Sequence, residues 1–143
     1  MPPLKTYLVE DSPLIRDNLA ATLQELTGLE VVGWADNERT AIAWLSAAGR
    51  AVDLVIVDLF LKTGSGLGVL RARAGPWKDT PCHVIVLTNY ATAEMKRRCA
   101  SLGADRVFDK SREIDSLVDH CRALVAAQAD GPPRAGRPAG AAT

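Results

Sequence analysis

A chain of 143 residues with 48% hydrophobic and 24% charged residues has the size and composition of one globular domain, which excludes a fibrous or wholly disordered protein. Its 17 basic and 17 acidic residues balance to a formal net charge of zero, so the strongly basic surface typical of nucleic-acid-binding proteins is not expected. The first residues lack a signal-peptide pattern, and no apolar run approaches the roughly 18 residues of a membrane span. We expect a cytoplasmic protein without a membrane or nucleic-acid partner.

Short apolar runs rich in β-branched residues alternate with segments of helical periodicity. The runs at residues 7–9, 52–57 and 83–87 are typical of strands that are covered on both faces of a parallel sheet. Ser12 followed by Pro13 is the pattern of a helix start. Helix ends are predicted at three glycines, Gly28, Gly49 and Gly103.

Five strand-helix units follow from this alternation. The predicted elements are strand 5–9, helix 12–27, strand 30–35, helix 37–48, strand 52–58, helix 66–74, strand 82–88, helix 91–102, strand 106–109 and helix 111–128. The alternation predicts an α/β fold, a flavodoxin-like (βα)5 doubly wound parallel sheet with strand order 2-1-3-4-5. We expect one domain over residues 1–129, followed by a disordered Pro/Gly/Ala-rich tail at 130–143.

The three cysteines, Cys82, Cys99 and Cys121, are odd in number and far apart in the sequence. They form no C-x-x-C pair that would indicate a zinc or redox site. We expect reduced and mostly buried thiols.

Carboxylates follow two strands that should be neighbours in this sheet. Glu10 and Asp11 follow the first strand and Asp58 follows the third, at the sheet edge where ligands bind in such folds. Their mutual repulsion favours a bound cation, and Mg²⁺ is suited to oxygen ligands. Asp58 could act as a nucleophile towards a phosphoryl group, with Lys110 neutralising charge and the Thr88 hydroxyl bonding a phosphoryl oxygen.

These residues, in this order at strand ends, resemble the site of two-component response regulator receiver domains. Thr88 follows Asp58 by 30 residues and Lys110 follows Thr88 by 22, as is typical of that family. The segments Val9-Glu-Asp-Ser-Pro13 and Gly103-Ala-Asp105, and Gly66 eight residues past Asp58, add to the likeness, which covers about residues 4–128.

The resemblance implies a single-domain response regulator rather than an enzyme. Asp58 would accept a phosphoryl group from a histidine kinase or a phosphotransfer protein, assisted by Thr88 and Lys110. Phe60 would join the three carboxylates, Glu10, Asp11 and Asp58, as a Mg²⁺ ligand. Output would reach an unknown downstream protein through the face formed by helix 4, strand 5 and helix 5, and a homodimer is possible.

Four features depart from the family pattern. Val107 replaces the usual aromatic switch residue, and Phe108 beside it should face the opposite way, so we expect signalling to depend on helix 4 and loop rearrangement. Ser111 replaces a proline, which makes a cis peptide bond unfavourable and leaves Ser111 available to cap the last helix. Residues 62–66 replace a proline-containing turn and should form a looser loop. Asn89 and Tyr90 should screen Asp58, and Phe60 lacks a group that could orient water, so we expect a long-lived phosphoryl group.

Parts of the sequence also fit three other functions. The first is a pseudo-receiver that binds partners without phosphate, and the complete acidic set argues against it. The second is a metal-dependent hydrolase with an aspartyl nucleophile, but Phe60 stands where such enzymes carry an acid. The third is dinucleotide binding by the glycine run Gly64, Gly66 and Gly68, which follows the wrong strand and has the wrong spacing.

Overall fold

The computed structural model describes residues 3–47 and 51–130, along which five strands alternate with five α-helices. The strands are β1 Lys5–Val9, β2 Glu30–Ala35, β3 Leu54–Val57, β4 His83–Thr88 and β5 Arg106–Asp109. The helices are α1 Pro13–Thr27, α2 Glu38–Ser46, α3 Gly66–Arg71, α4 Ala93–Ser101 and α5 Ile114–Asp130, with a 3₁₀ helix at Ala72–Ala74 after α3.

All strand pairs are parallel, in the order β2-β1-β3-β4-β5, which confirms the predicted fold class. Because successive strand residues face opposite sides, β3 contributes to two cores. Val55 and Val57 pack with residues of α2, α3 and α4, whereas Leu54 and Ile56 pack with residues of α1 and α5. The sheet is therefore covered on both faces, as the continuous apolar runs indicated.

The predicted start of α1 and the predicted helix ends at Gly28 and Gly103 are confirmed. Ser12 is the N-cap of α1, with its side-chain oxygen accepting a hydrogen bond from the amide of Ile15 at 3.3 Å, and Pro13 is the first helical residue. Gly28 ends α1 in the left-handed region at φ 81°, and Gly103 follows α4 at φ 101°. Gly49 lies outside the described residues.

The end of α3 differs from the prediction of one helix over 66–74. The α-helix stops at Arg71 and continues only as the 3₁₀ turn. Pro76 follows Gly75 shortly afterwards, and a proline disfavours helical conformation in the residue before it.

The turn before α5 also differs from the prediction, and the expected capping role of Ser111 is wrong. The helix begins at Ile114, and Ser111 lies in a turn in which its amide and hydroxyl both donate to Asp109 Oδ1, at 2.8 and 2.7 Å. The amide of Arg112 donates to the same oxygen at 3.2 Å. The hydrogen bonds from Ser111 lower the pKa of Asp109, so the carboxylate organises this turn and the serine serves as its donor.

The expectations for Val107 and Phe108, and that the cysteines are mostly buried, are confirmed. Phe108 is buried in the α1/α5 core, whereas Val107 packs against the opposite core. Cys99 and Cys121 are buried, and burial raises the pKa of Cys121 to about 12. None of the described helices is both long and apolar enough to cross a membrane.

Gly66 allows the chain to fold back on the end of β3. A Cβ atom at this position would lie 2.1 Å from the main-chain oxygen of Asp58 and 2.7 Å from Cα of Leu59. The amide of Gly66 donates to the carbonyl of Leu59 at 2.9 Å, so the two segments cannot move apart without losing this bond.

We predict that Gly66→Ala lowers the free energy of unfolding by about 3 kcal/mol, because the clash is with main-chain atoms that cannot rotate away. Gly28→Ala is the control, because nothing lies within 4 Å of its added Cβ. Only the left-handed conformation of the alanine should then lower the free energy of unfolding, by about 1 kcal/mol. Urea unfolding of both variants measures the difference. Equal losses would show that the close approach at Gly66 is not limiting.

Candidate functional site

Three carboxylates meet at the carboxyl edge of the sheet. Glu10 and Asp11 directly follow β1, and Asp58 directly follows the neighbouring strand β3. One oxygen from each carboxylate lies within 4.8 Å of the others. Glu10 is only 3% exposed and Asp58 only 8%, so two of the three negative charges are largely removed from water.

Lys110 supplies the compensating charge from the end of β5. Its Nζ lies 2.5 Å from Glu10 Oε1 and 2.9 Å from Asp58 Oδ2. Burial by itself would lower the pKa of Lys110, but hydrogen bonds and charge from the two carboxylates outweigh this and raise the pKa. These ion pairs therefore stabilise the fold below the ordinary lysine value of 10.5 and are lost only as the pH rises through the higher folded value.

Main-chain amides orient each carboxylate. The amide of Ser12 donates to Glu10 Oε2 at 3.1 Å, and the amide of Lys62 donates to Asp11 Oδ2 at 2.7 Å. The amide of Phe60 makes a longer contact of 3.4 Å with Asp58 Oδ1. Two of these donors come from the β3–α3 loop, so the position of that loop determines the shape of the acidic site.

Two long-range hydrogen bonds tie the β3–α3 loop to the rest of the domain, and the looser loop expected from residues 62–66 stays a prediction. Besides the bond from Lys62 to Asp11, the amide of Ser65 donates to Glu38 Oε1 of α2 at 2.9 Å. Both partners lie far from the loop in sequence, which is why the pattern of residues 62–66 did not indicate them.

Thr88 is the last residue of β4 and is fully buried. Its main-chain oxygen accepts a hydrogen bond from the amide of Lys110 at 2.9 Å, which places the threonine beside the lysine. Its hydroxyl oxygen accepts a hydrogen bond from the amide of Tyr90 at 3.2 Å. The hydroxyl is thus hydrogen-bonded to the loop that leads from β4 to α4.

Two exposed aromatic rings are in contact at the rim of the site. Phe60 lies two positions after Asp58 and Tyr90 two positions after Thr88. Their ring centroids lie 4.3 Å apart, and both residues are about half exposed, at 52% and 55%. The sequence indicated a separate effect of each residue on phosphoryl lifetime, and their contact was not predicted. Phe60 can offer a metal only its main-chain oxygen, so its assignment as a ligand stays a prediction.

The chemistry of the donors fits a hard divalent cation. Three formal negative charges and one ammonium leave a net charge of −2 in the cluster, which a doubly charged ion would neutralise. All donors are oxygens, the ligand type that Mg²⁺ prefers. A cavity of about 430 Å³ lies beside the site, lined by Lys110, by Ile15 and Leu19 of α1 and by Ile114 of α5.

Comparisons with curated proteins extend along nearly the whole described chain. A protein from Picosynechococcus named as a probable transcriptional regulatory protein is 33% identical, over 87% of this chain and 50% of its own length. A protein-glutamate methylesterase/protein-glutamine glutaminase of Anaeromyxobacter dehalogenans is 32% identical, over 95% of this chain and 39% of its own length. The chain thus spans half or less of the length of these two relatives.

Solved structures share the fold at low sequence identity. The receiver domain of the Francisella response regulator 1452 superposes with a TM-score of 0.73 at 20% identity, over 87% of this chain and 98% of that one. A response regulator from Burkholderia pseudomallei, solved with a phosphorylated aspartic acid, a calcium ion and citrate, gives 0.68 at 22% identity, over 88% and 72%.

The family model of the response regulator receiver domain matches residues 7–122, a range that begins within β1 and contains the other four strands and the whole acidic cluster. Since this match covers far more than half of the sequence, the chain belongs to the response regulator receiver domain family.

Proposed function

We propose that this receiver domain is a phosphorylation switch in which Asp58 accepts a phosphoryl group from a phosphohistidine on a sensor histidine kinase or a phosphotransfer protein. The observation that carries the proposal is the buried Asp58 carboxylate, which clusters with Glu10 and Asp11 and lies 2.9 Å from the ammonium of Lys110. An oxygen of Asp58 forms a bond to phosphorus while the phosphorus–nitrogen bond breaks, and the imidazole nitrogen keeps the electron pair.

Glu10, Asp11 and Asp58 would hold Mg²⁺, together with the main-chain oxygen of Phe60. When bound, the ion supplies positive charge to the oxygens of the transferring phosphoryl group. The ammonium of Lys110, which contacts both Asp58 and Glu10, contributes to the same neutralisation. The phosphorylated aspartic acid and calcium ion of the Burkholderia protein are in keeping with this chemistry.

Thr88 would report the phosphoryl group to the rest of the domain. Its hydroxyl can donate a hydrogen bond to a phosphoryl oxygen, and it leads into the β4–α4 loop through its contact with the amide of Tyr90. Because Val107 is small, we infer that the response depends on rearrangement of this loop and of α4.

The face formed by α4, β5 and α5 would be read by a downstream protein or a second copy of the chain. Its charge is unevenly distributed. Lys96, Arg97 and Arg98 are exposed on α4 and are basic, whereas Asp115 and Asp119 are exposed on α5 and are acidic. We propose a cytoplasmic signalling role without an enzymatic reaction on an external substrate. The transcriptional and methylesterase activities in the relatives' names are those of longer proteins, of which this chain matches 50% and 39%.

Labelling with a small phosphodonor tests the phosphoacceptor. Acetyl phosphate with Mg²⁺ should phosphorylate the wild-type chain on Asp58 and leave Asp58→Ala unlabelled, as read by mass spectrometry of the intact protein and of its peptides. Chelation of the metal should suppress labelling of the wild type, because the charges at the acidic cluster are then not neutralised. Absence of Asp58-dependent labelling would favour a pseudo-receiver, and turnover of phosphoesters would favour a hydrolase.

Lys110→Met should destabilise the protein and slow labelling. Removal of the ammonium leaves Glu10 and Asp58 buried without a positive partner, which should cost about 3 kcal/mol of unfolding free energy in chelator. Lys96→Met, at an exposed position on α4, is the matched control and should change little. Urea unfolding of the two variants measures the difference, and equal stability would contradict the role given to Lys110.

The phosphoryl group at Asp58 should be long-lived, because the rings of Phe60 and Tyr90 cover the rim of the site. Phe60→Ala and Tyr90→Ala each remove a ring contact worth about 1 kcal/mol. The open rim then becomes about fivefold more populated relative to the closed one, and hydrolysis, which needs water to enter through the open rim, should accelerate by about that factor. Trp34 is also a half-exposed aromatic residue, but it lies on β2, so Trp34→Ala is the control and should leave the hydrolysis rate unchanged. The rates come from the decay of labelled protein after removal of acetyl phosphate, and a wild-type half-life of seconds would refute the prediction.

A further inference from the structure

Glu38, the first residue of α2, lies against the β3–α3 loop. Its Oε1 accepts a hydrogen bond from the amide of Ser65 at 2.9 Å, and its own amide donates to the carbonyl of Thr63 at 3.3 Å. The preceding residue, Asn37, forms an isolated parallel bridge with Thr63 and caps α2 by accepting from the amide of Thr40 at 2.8 Å. The side chain thus projects from a fixed helix start onto the loop.

Two glycines of the loop and of α3 provide the space that Glu38 occupies. A Cβ atom on Gly68 would lie 2.3 Å from Oε1 and Cδ of Glu38 and 2.4 Å from Oε2. A Cβ atom on Gly64, which has a φ of +81°, would lie 2.5 Å from Cβ of Glu38. The alternating glycines that suggested nucleotide binding therefore have a different explanation: they admit a carboxylate from another helix.

Ser65 transmits this contact to the acidic site. It forms an isolated antiparallel bridge with Phe60, and its hydroxyl lies 3.4 Å from the carbonyl of Leu59 as a hydrogen-bond donor. Leu59 and Phe60 are the two residues that follow Asp58. Because the bridge is made by main-chain groups, displacement of Ser65 also displaces the main chain of Phe60, which carries the proposed metal-binding oxygen.

We propose that Glu38 is a positioning residue for the metal site, acting through Ser65 on the main chain of Phe60. The inference rests on the proposed function, since it assumes that the acidic cluster binds a divalent cation. Glu38 is not itself a member of the cluster formed by Glu10, Asp11 and Asp58. It acts in the same way as outer-shell groups that orient metal ligands elsewhere.

A different role for Glu38 would be general stabilisation, since an acidic residue in the first turn of a helix interacts favourably with the helix dipole. Glu94 occupies the first turn of α4 and is exposed, so it shares this electrostatic role without contact with the β3–α3 loop. Glu94→Ala is therefore the matched control. A role confined to stability would change the melting temperature and leave metal affinity untouched.

The experiment measures Mn²⁺ binding to the full chain by electron paramagnetic resonance, with Mg²⁺ as a competitor. Glu38→Ala should weaken Mn²⁺ binding by roughly tenfold, because the loop loses its anchor. Glu38→Gln keeps an oxygen acceptor for the amide of Ser65 and should retain most of the affinity. Glu94→Ala should bind Mn²⁺ as the wild type does. In acetyl phosphate labelling, saturating Mg²⁺ should restore most of the rate of Glu38→Ala.

A second pair of variants tests the same contact even if Glu38→Ala folds poorly. Gly68→Ala should push the flexible Glu38 carboxylate aside and weaken Mn²⁺ binding as Glu38→Ala does. In the Glu38→Ala background the clash is absent, so Gly68→Ala should cause no further loss of affinity, and a more favourable helix residue should aid folding of the double variant. Such non-additivity is the signature of direct coupling.

The outcomes separate the inference from the proposed function. Wild-type protein that neither binds Mn²⁺ nor becomes labelled at Asp58 would overturn both. If the wild type binds and is labelled while Glu38→Ala or the Gly68→Ala variants bind Mn²⁺ equally well, only the positioning role is overturned. Additive losses of affinity in the double variant would also overturn it.

Discussion

The burial of two carboxylates beside one ammonium is the constraint on which the rest of the site depends. Removing a charge from water costs several kcal/mol, so Glu10 and Asp58 can stay buried only while Lys110 and main-chain amides compensate them. Three strands supply the three groups, and each strand end must stay in register for the contacts to form. The sheet therefore positions the charged groups, and their ion pairs in turn favour the register of the strand ends.

Much of the fold could be predicted from the sequence because it is determined by local patterns. Continuous apolar runs determine the strands, and alternation with helices leaves few topologies for a parallel sheet. The meeting of Glu10, Asp11 and Asp58 follows directly, since carboxyl ends of neighbouring parallel strands share an edge. Ser12 could be identified as a cap because its hydrogen bond spans only three residues.

What could not be predicted depends on contacts between distant loops or on competition between nearby groups. The bond from Ser65 to Glu38 joins positions 27 residues apart, and neither residue carries a pattern that names the other. Asp109 and Ser111 can both accept hydrogen bonds at a turn, and the carboxylate prevails because it receives three donors at once. The contact between Phe60 and Tyr90 likewise requires knowledge of how two loops approach.

The replacement of an aromatic by Val107 leaves the β4–α4 loop as the element best placed to respond in the proposed switch. If Thr88 turns its hydroxyl towards a phosphoryl oxygen, the amide of Tyr90 loses its acceptor, and the ring of Tyr90 is tied to Phe60 on the neighbouring loop. The two loops would then move together rather than separately. Since α4 begins three residues after Tyr90, such a movement reaches the start of this helix without any rotation of a side chain at position 107.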